Sequence, residues 1–356
     1  MTAEATIDSV VADRSIIICC GSGGVGKTTT AAAIALEAAR RGRRACVVTI
    51  DPARRLANAL GLDALSNRPT RIEGPWAGEL SALMLDPKGT FDDLVQRYAD
   101  SPEQAEDIKV NRIYRNLTGS LSGTQEYMAM EKLYELVEEG GFDLVVVDTP
   151  PSRNALDFLD APRRLTSFLD NRIFRLLIMP TRAYLKAVSV ATQTFLRTVA
   201  RVVGSEVVGD VIAFFEAFDG MEAGFRDRAQ AVRDLLSAPG TAFVLVTSPR
   251  PDAVEEASYF ATKLGDAGIG VDALVVNRIH PRFGARIEAM GNVTDTPLGI
   301  LRANLAEFQS MSDAEASHFS GLARQVAPAV VVRVPFLADD VHDLAGLEVI
   351  SGHLVA

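Results

Sequence analysis

A glycine-rich turn between an apolar run and an alanine-rich segment constrains this chain most. The turn reads GSGGVGKTTT, and Gly21, Gly26, Lys27 and Thr28 fill every fixed position of the phosphate-loop pattern G-x-x-x-x-G-K-[ST]. The run SIIICC before it predicts a strand, and the alanine-rich stretch after it predicts a helix. Backbone N–H groups of such a turn surround a di- or triphosphate at the positive end of the helix. We expect Lys27 to reach the β- and γ-phosphates and the Thr28 hydroxyl to bind Mg²⁺.

Short apolar runs predict the strands of one sheet. They are continuous in Val, Ile and Leu, which is typical of strands covered on both faces. Helical patterns separate them and indicate β-α-β units. We therefore predict an α/β P-loop NTPase fold with a mostly parallel, doubly wound sheet of about seven or eight strands. The runs are Ser15–Cys20, Ala45–Ile50, Leu80–Asp86, Leu144–Asp148, Ala242–Thr247, Ala273–Asn277 and Ala329–Pro335.

Two segments without strand patterns predict a helical subdomain inserted in this fold. They cover approximately residues 90–139 and 155–236, so that residues 1–356 form a single ATPase domain with an insertion. The second segment is rich in Phe, Leu, Ile, Val and Met but is interrupted by Arg and Lys, which excludes a membrane span. Its helices either offer an apolar site to a partner or pack as ordinary core.

Two aspartates lie at predicted strand ends, the edge of a parallel sheet where ligands bind. Asp51 follows ACVVTI and could hold Mg²⁺ or orient an attacking water. It precedes a proline, so a helix N-cap is the structural alternative. Asp148 ends LVVVD, the pattern of a Walker B carboxylate that contacts Mg²⁺ through water. A structural aspartate at a strand end is its alternative.

Weaker signals accompany these carboxylates. The loop from Thr149 to Asn154 either senses the γ-phosphate or is a rigid Pro-Pro turn. Asn277 and the segment Val334–Leu337 are candidates for a base pocket, since an amide reads ring nitrogens and an apolar strip covers the ring face.

Composition excludes several other classes. A formal net charge of −10 and a pI near 5.0 argue against nucleic acid and anionic membranes as partners. The three cysteines lack metal-ligand spacing and are expected to be buried. Their odd number and the lack of a secretory signal favour the cytoplasm. No apolar run reaches the ~18 residues of an integral membrane segment.

Several motifs together resemble the ArsA/guided-entry family of deviant Walker ATPases, which includes arsenite-pump ATPases and factors that target tail-anchored membrane proteins. They are GSGGVGKTTT, TIDPARRLANAL, SGTQEYMAMEKL, VVVDTPPSRNALDFLDAP, VVNR and VPF, in the family's order from Ile17 to about Phe336. The D-T-x-P match at Asp148 is the specific one, because many families share phosphate loops. The chain is identified as a bacterial member that lacks the family's signature lysine.

The resemblance implies site residues one by one. Asp51 would activate water in switch I, Asp148 would be the switch II carboxylate, and Asn277 would read adenine beside Pro335 and Phe336. It also implies a nucleotide-driven dimer whose helices after switch II form an apolar groove for a client helix. The implied contacts to ATP and Mg²⁺ in the loop are Gly23, Gly24, Val25, Gly26, Lys27, Thr28 and Thr29.

Departures from the family pattern bear on activity. The signature lysine, which crosses the dimer to the partner's ATP, is Ser22 here. Switch I carries Arg54 in place of His, and switch II carries Arg153 and Asn154 in place of Gly-His. Either a related chain supplies the lysine in a heterodimer, or Arg54 or Arg153 makes the trans contact in a homodimer. The cysteines of a zinc-bridged dimer or an arsenite site are missing.

The leading hypothesis is a Mg²⁺-dependent ATPase that controls an apolar helical client or partner site through dimer opening and closing. One alternative is a weakly catalytic, ATP-binding regulatory subunit of a heterodimer with a lysine-bearing paralogue. The other is a positioning-type scaffold ATPase, which the acidic balance and the C-terminal GLEVISGHLVA disfavour because no basic amphipathic helix is present.

Overall fold

The computed structural model describes residues 7–51, 55–112, 114–115, 124–150, 210, 213–214, 217, 221–283 and 296–355. These residues divide into two compact units. The first unit takes in the described residues within 1–85, 135–156 and 237–356. The second takes in those within 86–134 and 157–236.

The first unit is built on an eight-stranded sheet with the strand order β3-β4-β2-β5-β1-β6-β7-β8. The short edge strand β3 pairs antiparallel with β4, and the other neighbours are parallel. The strands are β1 Ile16–Cys20, β2 Arg44–Thr49, β3 Thr70–Ile72, β4 Glu79–Met84, β5 Leu144–Asp148, β6 Thr241–Thr247, β7 Ala273–Ile279 and β8 Val330–Pro335.

Helices of the first unit follow the strands in the β-α-β pattern. Its described helices are α1 Asp8–Asp13, α2 Lys27–Arg40, α3 Arg55–Ala59, α8 Pro251–Asp266, α9 Pro297–Gln325 and α10 Leu344–Val355. Helix α2 is almost wholly buried, and its alanines let it pack closely against the sheet and α10. Every residue of the central strands β1, β5 and β6 is buried, so both of their faces are covered, which explains their unbroken apolar sequences.

The second unit has its own apolar core. Its described residues include α4 Pro87–Tyr98, α5 Pro102–Val110, most of α6 Thr124–Glu138 and most of α7 Glu222–Ser237. The side chains of Asp86 and Ser101 accept hydrogen bonds from the first turns of α4 and α5 and so fix where these helices begin. Tyr114 and Phe225 are fully buried at its centre.

The predicted fold class is confirmed, and seven of its strands correspond to the predicted runs. The strand β3 was not predicted, because three residues reading Thr-Arg-Ile carry no apolar run and form a strand by pairing with β4. The strand β7 extends to Ile279, two residues beyond the predicted end.

The predicted cysteine burial is confirmed, since Cys19, Cys20 and Cys46 all lie buried in β1 and β2. The predicted helical segment 155–236 lies largely outside the described residues. No helix among the described ranges has the length and apolar character to cross a bilayer.

Candidate functional site

The glycine-rich turn joins the carboxyl end of β1 to the first residue of α2. Gly21 has φ of 147°, and a Cβ atom built on it would lie 2.0 Å from the carbonyl oxygen of Val246. Gly26 caps α2 in the left-handed region, with φ of 96° and ψ of 23°. Glycine is the residue that adopts these conformations without steric cost. The turn therefore needs its glycines for backbone geometry, as the phosphate-loop pattern predicts.

Lys27 folds back over this turn. Its Nζ donates a 2.7 Å hydrogen bond to the carbonyl oxygen of Ser22, and the side chain is only 6% exposed. Burial lowers the pKa of the Lys27 ammonium, while the charge of Asp148 opposes this shift. A lysine held over a glycine-rich turn at a helix N-terminus is typical of an anion-binding site.

Asp148 lies beneath the turn, at the end of the strand next to β1. Its Oδ2 accepts hydrogen bonds of 2.7 Å from the Thr28 hydroxyl and 2.9 Å from the Thr49 hydroxyl. Parallel pairing produces this arrangement, because Asp148 is in register with Cys19 on one side and with Thr49 on the other. Burial raises the pKa of the Asp148 carboxyl to about 6, although both hydrogen bonds oppose the shift.

The second carboxylate oxygen of Asp148 is the observation that points to a metal. Oδ1 is buried and has no hydrogen-bond partner among the described residues. A buried carboxylate oxygen without a partner is costly unless a ligand or water completes it. Carboxylate and hydroxyl oxygens are the ligands that Mg²⁺ prefers, together with phosphate oxygens and water. The carboxylate oxygens of Asp148 and the hydroxyl oxygen of Thr28 therefore fit the ligand preference of Mg²⁺.

Asp51 lies two residues after the end of β2 and lines a cavity at the glycine-rich turn. Its backbone N–H donates a 3.2 Å hydrogen bond to the Thr49 hydroxyl, and its side chain is partly exposed. The following residues 52–54 lie outside the described part of the chain, so the predicted role of Arg54 remains a prediction.

A cavity of about 590 Å³ brings most of the predicted site residues together. This volume is in the range of small-molecule sites. The predicted residues that line it are Gly24, Gly26, Lys27, Thr28, Thr29, Asp51, Asn277, Pro335 and Phe336. Ser22, Gly23 and Val25 line a second cavity of about 550 Å³. Arg153 and Asn154 lie outside the described residues.

Asn277 is held against the glycine-rich turn. Its Nδ2 donates a 2.9 Å hydrogen bond to the carbonyl oxygen of Val25, and its Oδ1 accepts one from the backbone N–H of Arg278. The amide nitrogen would lie 2.2 Å from a Cβ on Gly26, so the glycine makes room for it. Phe336, by contrast, is 58% exposed and stacks on His280. The adenine-reading role of Asn277 remains a prediction.

Sequence reasoning missed two residues of this site. Thr49 donates a hydrogen bond to the Asp148 carboxylate. The sequence signal that could have identified it is a hydroxyl residue at the last position of a strand that ends beside a carboxylate. Arg278 borders both cavities and lies in the VVNR motif, but the motif gave no sign of its unusual backbone.

Comparisons with known proteins identify a family and several relatives of this chain. A family model described as anion-transporting ATPase matches residues 14–356. The ATPase GET3B of Arabidopsis thaliana is 28% identical over 282 residues, which cover 73% of this chain and 63% of that protein. The ATPases get3 of Aspergillus terreus and Aspergillus niger are each 30% identical over 172 residues, which cover 47% of this chain and 49% of those proteins. The chain thus spans about half to two thirds of these relatives.

Proposed function

The chain belongs to the anion-transporting ATPase family, and from that premise we propose that it binds and hydrolyses Mg·ATP in the cavity at the glycine-rich turn. The observation that carries the proposal is the convergence of Lys27, Thr28 and Asp148, in which a buried carboxylate oxygen of Asp148 is left without a protein partner among the described residues. Such an arrangement suits a phosphate chain with its cation.

Each residue has a proposed task. Lys27 and the backbone N–H groups of the turn bind the phosphates, and Asn277, Pro335 and Phe336 form the base pocket. Thr28 and Asp148 hold Mg²⁺, directly or through water, and this cation neutralises charge on the phosphates when bound. Asp51 lines the cavity from the neighbouring strand end and orients the attacking water.

We further propose that the nucleotide state drives opening and closing of a dimer with a related ATPase chain, and that this controls an apolar helical client or partner site. The support is in the sequence. The segment 155–236 is rich in large apolar residues and follows the Asp148 strand directly, so a loop that senses the γ-phosphate would lead straight into it. The chain would then act as a deviant Walker ATPase that lacks the signature lysine.

Ser22 favours a second candidate. A neutral residue in place of the trans lysine fits a weakly catalytic regulatory subunit, whose partner supplies the missing charge. A cationic residue supplied by the partner chain raises the hydrolysis rate on the order of 10³-fold or more. A chain that lacks this residue could therefore bind ATP and yet hydrolyse it slowly.

Two measurements on the purified full chain, the rate of phosphate release from ATP and the affinity for ATP, distinguish an active ATPase from a weakly catalytic regulatory subunit. We expect Lys27→Ala to lower Mg²⁺-dependent ATP turnover by about 100-fold or more. Lys263→Ala, an exposed lysine on α8, is the matched control and should match the wild type. Tight ATP binding with background turnover would support the regulatory subunit instead. Absence of ATP binding by the wild type would contradict the proposed site.

Sedimentation velocity tests the dimer. We expect the sedimentation coefficient to increase with Mg²⁺ and a non-hydrolysable ATP analogue relative to Mg·ADP, and Lys27→Ala to remove the difference. Limited proteolysis within residues 164–233 should change under the same conditions. Identical sedimentation and digestion in both nucleotides would contradict nucleotide-driven control.

A further inference from the structure

Arg278 has a backbone conformation that arginine rarely adopts. Its φ is 63°, and it is the one non-glycine residue with positive φ among those the structure describes. The pairing of β7 with β8 is irregular at the same point, between Asn277 and Ile279. Bulges of this kind redirect side chains and are frequent next to active sites. A strained residue at a cavity mouth is evidence from which a functional role can be inferred.

The irregularity turns two consecutive side chains toward the same loop. Successive side chains of a regular strand point to opposite faces. Here Asn277 donates to the carbonyl oxygen of Val25 at 2.9 Å, and Arg278 donates through Nη1 to the carbonyl oxygen of Gly24 at 3.3 Å. Two consecutive residues of β7 therefore hold two consecutive carbonyl groups of the glycine-rich turn.

The guanidinium of Arg278 is placed to bind an anion as well. The residue is exposed and borders both the larger cavity and the second cavity that contains Ser22 and Gly23. Its bond to Gly24 uses one of the five N–H donors of a guanidinium, and within the described residues no other acceptor is bonded to it. The planar guanidinium group of arginine can donate two parallel hydrogen bonds to phosphate oxygens.

We propose that Arg278 is a phosphate-binding residue that supplies, from the same chain, positive charge at the tip of the turn where Ser22 carries none. The inference rests on the proposed function, because it assumes that the turn holds a nucleotide. Left-handed backbone at position 278 is what directs the cation to the loop.

Calorimetric titration with AMP, ADP and a non-hydrolysable ATP analogue, each with Mg²⁺, tests this role. Arg278→Gly removes the charge and tolerates the left-handed backbone. We expect it to weaken binding of the ATP analogue by about 10-fold, of ADP by less, and of AMP hardly at all, as for a lost charge-assisted contact. Arg278→Lys should recover part of the loss. Arg71→Ala, on the edge strand β3, is the charge-matched control.

Three outcomes decide the inference. A loss of affinity that grows with the number of phosphates supports it.

Equal losses for AMP, ADP and the ATP analogue would overturn it, since these indicate a base contact or general loop disorder. Wild-type binding by Arg278→Gly, while Lys27→Ala abolishes binding, would also overturn it and leave the proposed function intact. If the wild type itself binds neither ADP nor the ATP analogue, the proposed function fails. Should the glycine variant not fold, Arg278→Asn is a neutral replacement that also tolerates this conformation.

Discussion

The Thr28 hydroxyl donates a 2.7 Å hydrogen bond to Oδ2 of Asp148, a residue 120 positions away in the sequence. The bond joins the first turn of α2 to the end of β5 and leaves the other carboxylate oxygen of Asp148 buried and unpartnered within the described residues. The proposed Mg²⁺ site thus depends on a contact between two elements that are far apart in the chain.

Replacing Thr28 by Val removes the hydroxyl but keeps the shape of the side chain. We expect the enhancement of ATP-analogue affinity by Mg²⁺, measured against EDTA, to fall by about 10-fold, since a hydrogen bond to a charged group and an oxygen ligand are lost together. Thr28→Ser keeps the hydroxyl and should retain most of the enhancement. An undiminished enhancement in Thr28→Val would argue that this hydroxyl is not a ligand.

The raised pKa of Asp148 predicts a pH-dependent cost of folding. Its carboxyl has a pKa of about 6 in the folded chain and ~3.9 when unfolded, so between these values the folded state binds more protons. The contribution of Asp148 to the free energy of unfolding therefore falls as pH rises from about 4 to about 6 and stays low above that. Above about pH 6, the ionised Asp148 carboxylate lowers the free energy of unfolding by about 3 kcal/mol relative to its protonated form at low pH.

Urea unfolding of the wild type and Asp148→Asn at several pH values isolates this contribution, because other titrating groups are shared. The difference in unfolding free energy, wild type minus variant, should decrease across that window. A difference that does not change with pH would show that burial does not raise this pKa.

Gly21→Ala should destabilise the first unit. The new Cβ would lie 2.0 Å from a backbone carbonyl of β6 at a φ of 147°, so neither the clash nor the strain can be relieved by a side-chain movement. We expect a loss of more than about 2 kcal/mol in chemical denaturation. Gly270→Ala is the matched control, because nothing lies within 4 Å of its added Cβ. Equal stabilities of the two variants would contradict this explanation.

A buried ion pair predicts sensitivity in the second unit. Nε of Arg228 lies 2.5 Å from Oε1 of Glu131, with side chains 10% and 3% exposed, and the guanidinium stacks over Tyr134 at 3.8 Å. Arg228→Met removes this cation from beside a buried carboxylate, and we expect a cost of about 3–5 kcal/mol in unfolding free energy.

The double variant Arg228→Met/Glu131→Gln should recover part of this loss, because the buried negative charge is then also removed. Arg250→Met provides the control, since its pair with Asp252 is exposed and is expected to contribute little to stability. A double variant less stable than Arg228→Met would contradict the assigned cause.

The sequence alone determined the strand–turn–helix unit at residues 15–40 and the apolar strands of the sheet. These features are local, because glycine positions fix the turn and unbroken apolar runs fix strands that are covered on both faces. Carboxylates at the ends of β2 and β5 could also be assigned to one edge, since parallel strands end on the same side.

Only the tertiary structure decided which side chains meet at that edge. Register between β2 and β5 brings Thr49 onto Asp148, and pairing with β4 creates the edge strand β3 from three residues that carry no pattern of their own. The left-handed turn at Arg278 likewise depends on how β7 and β8 pair. Such contacts join residues far apart in the chain, so their energies have no counterpart in local sequence.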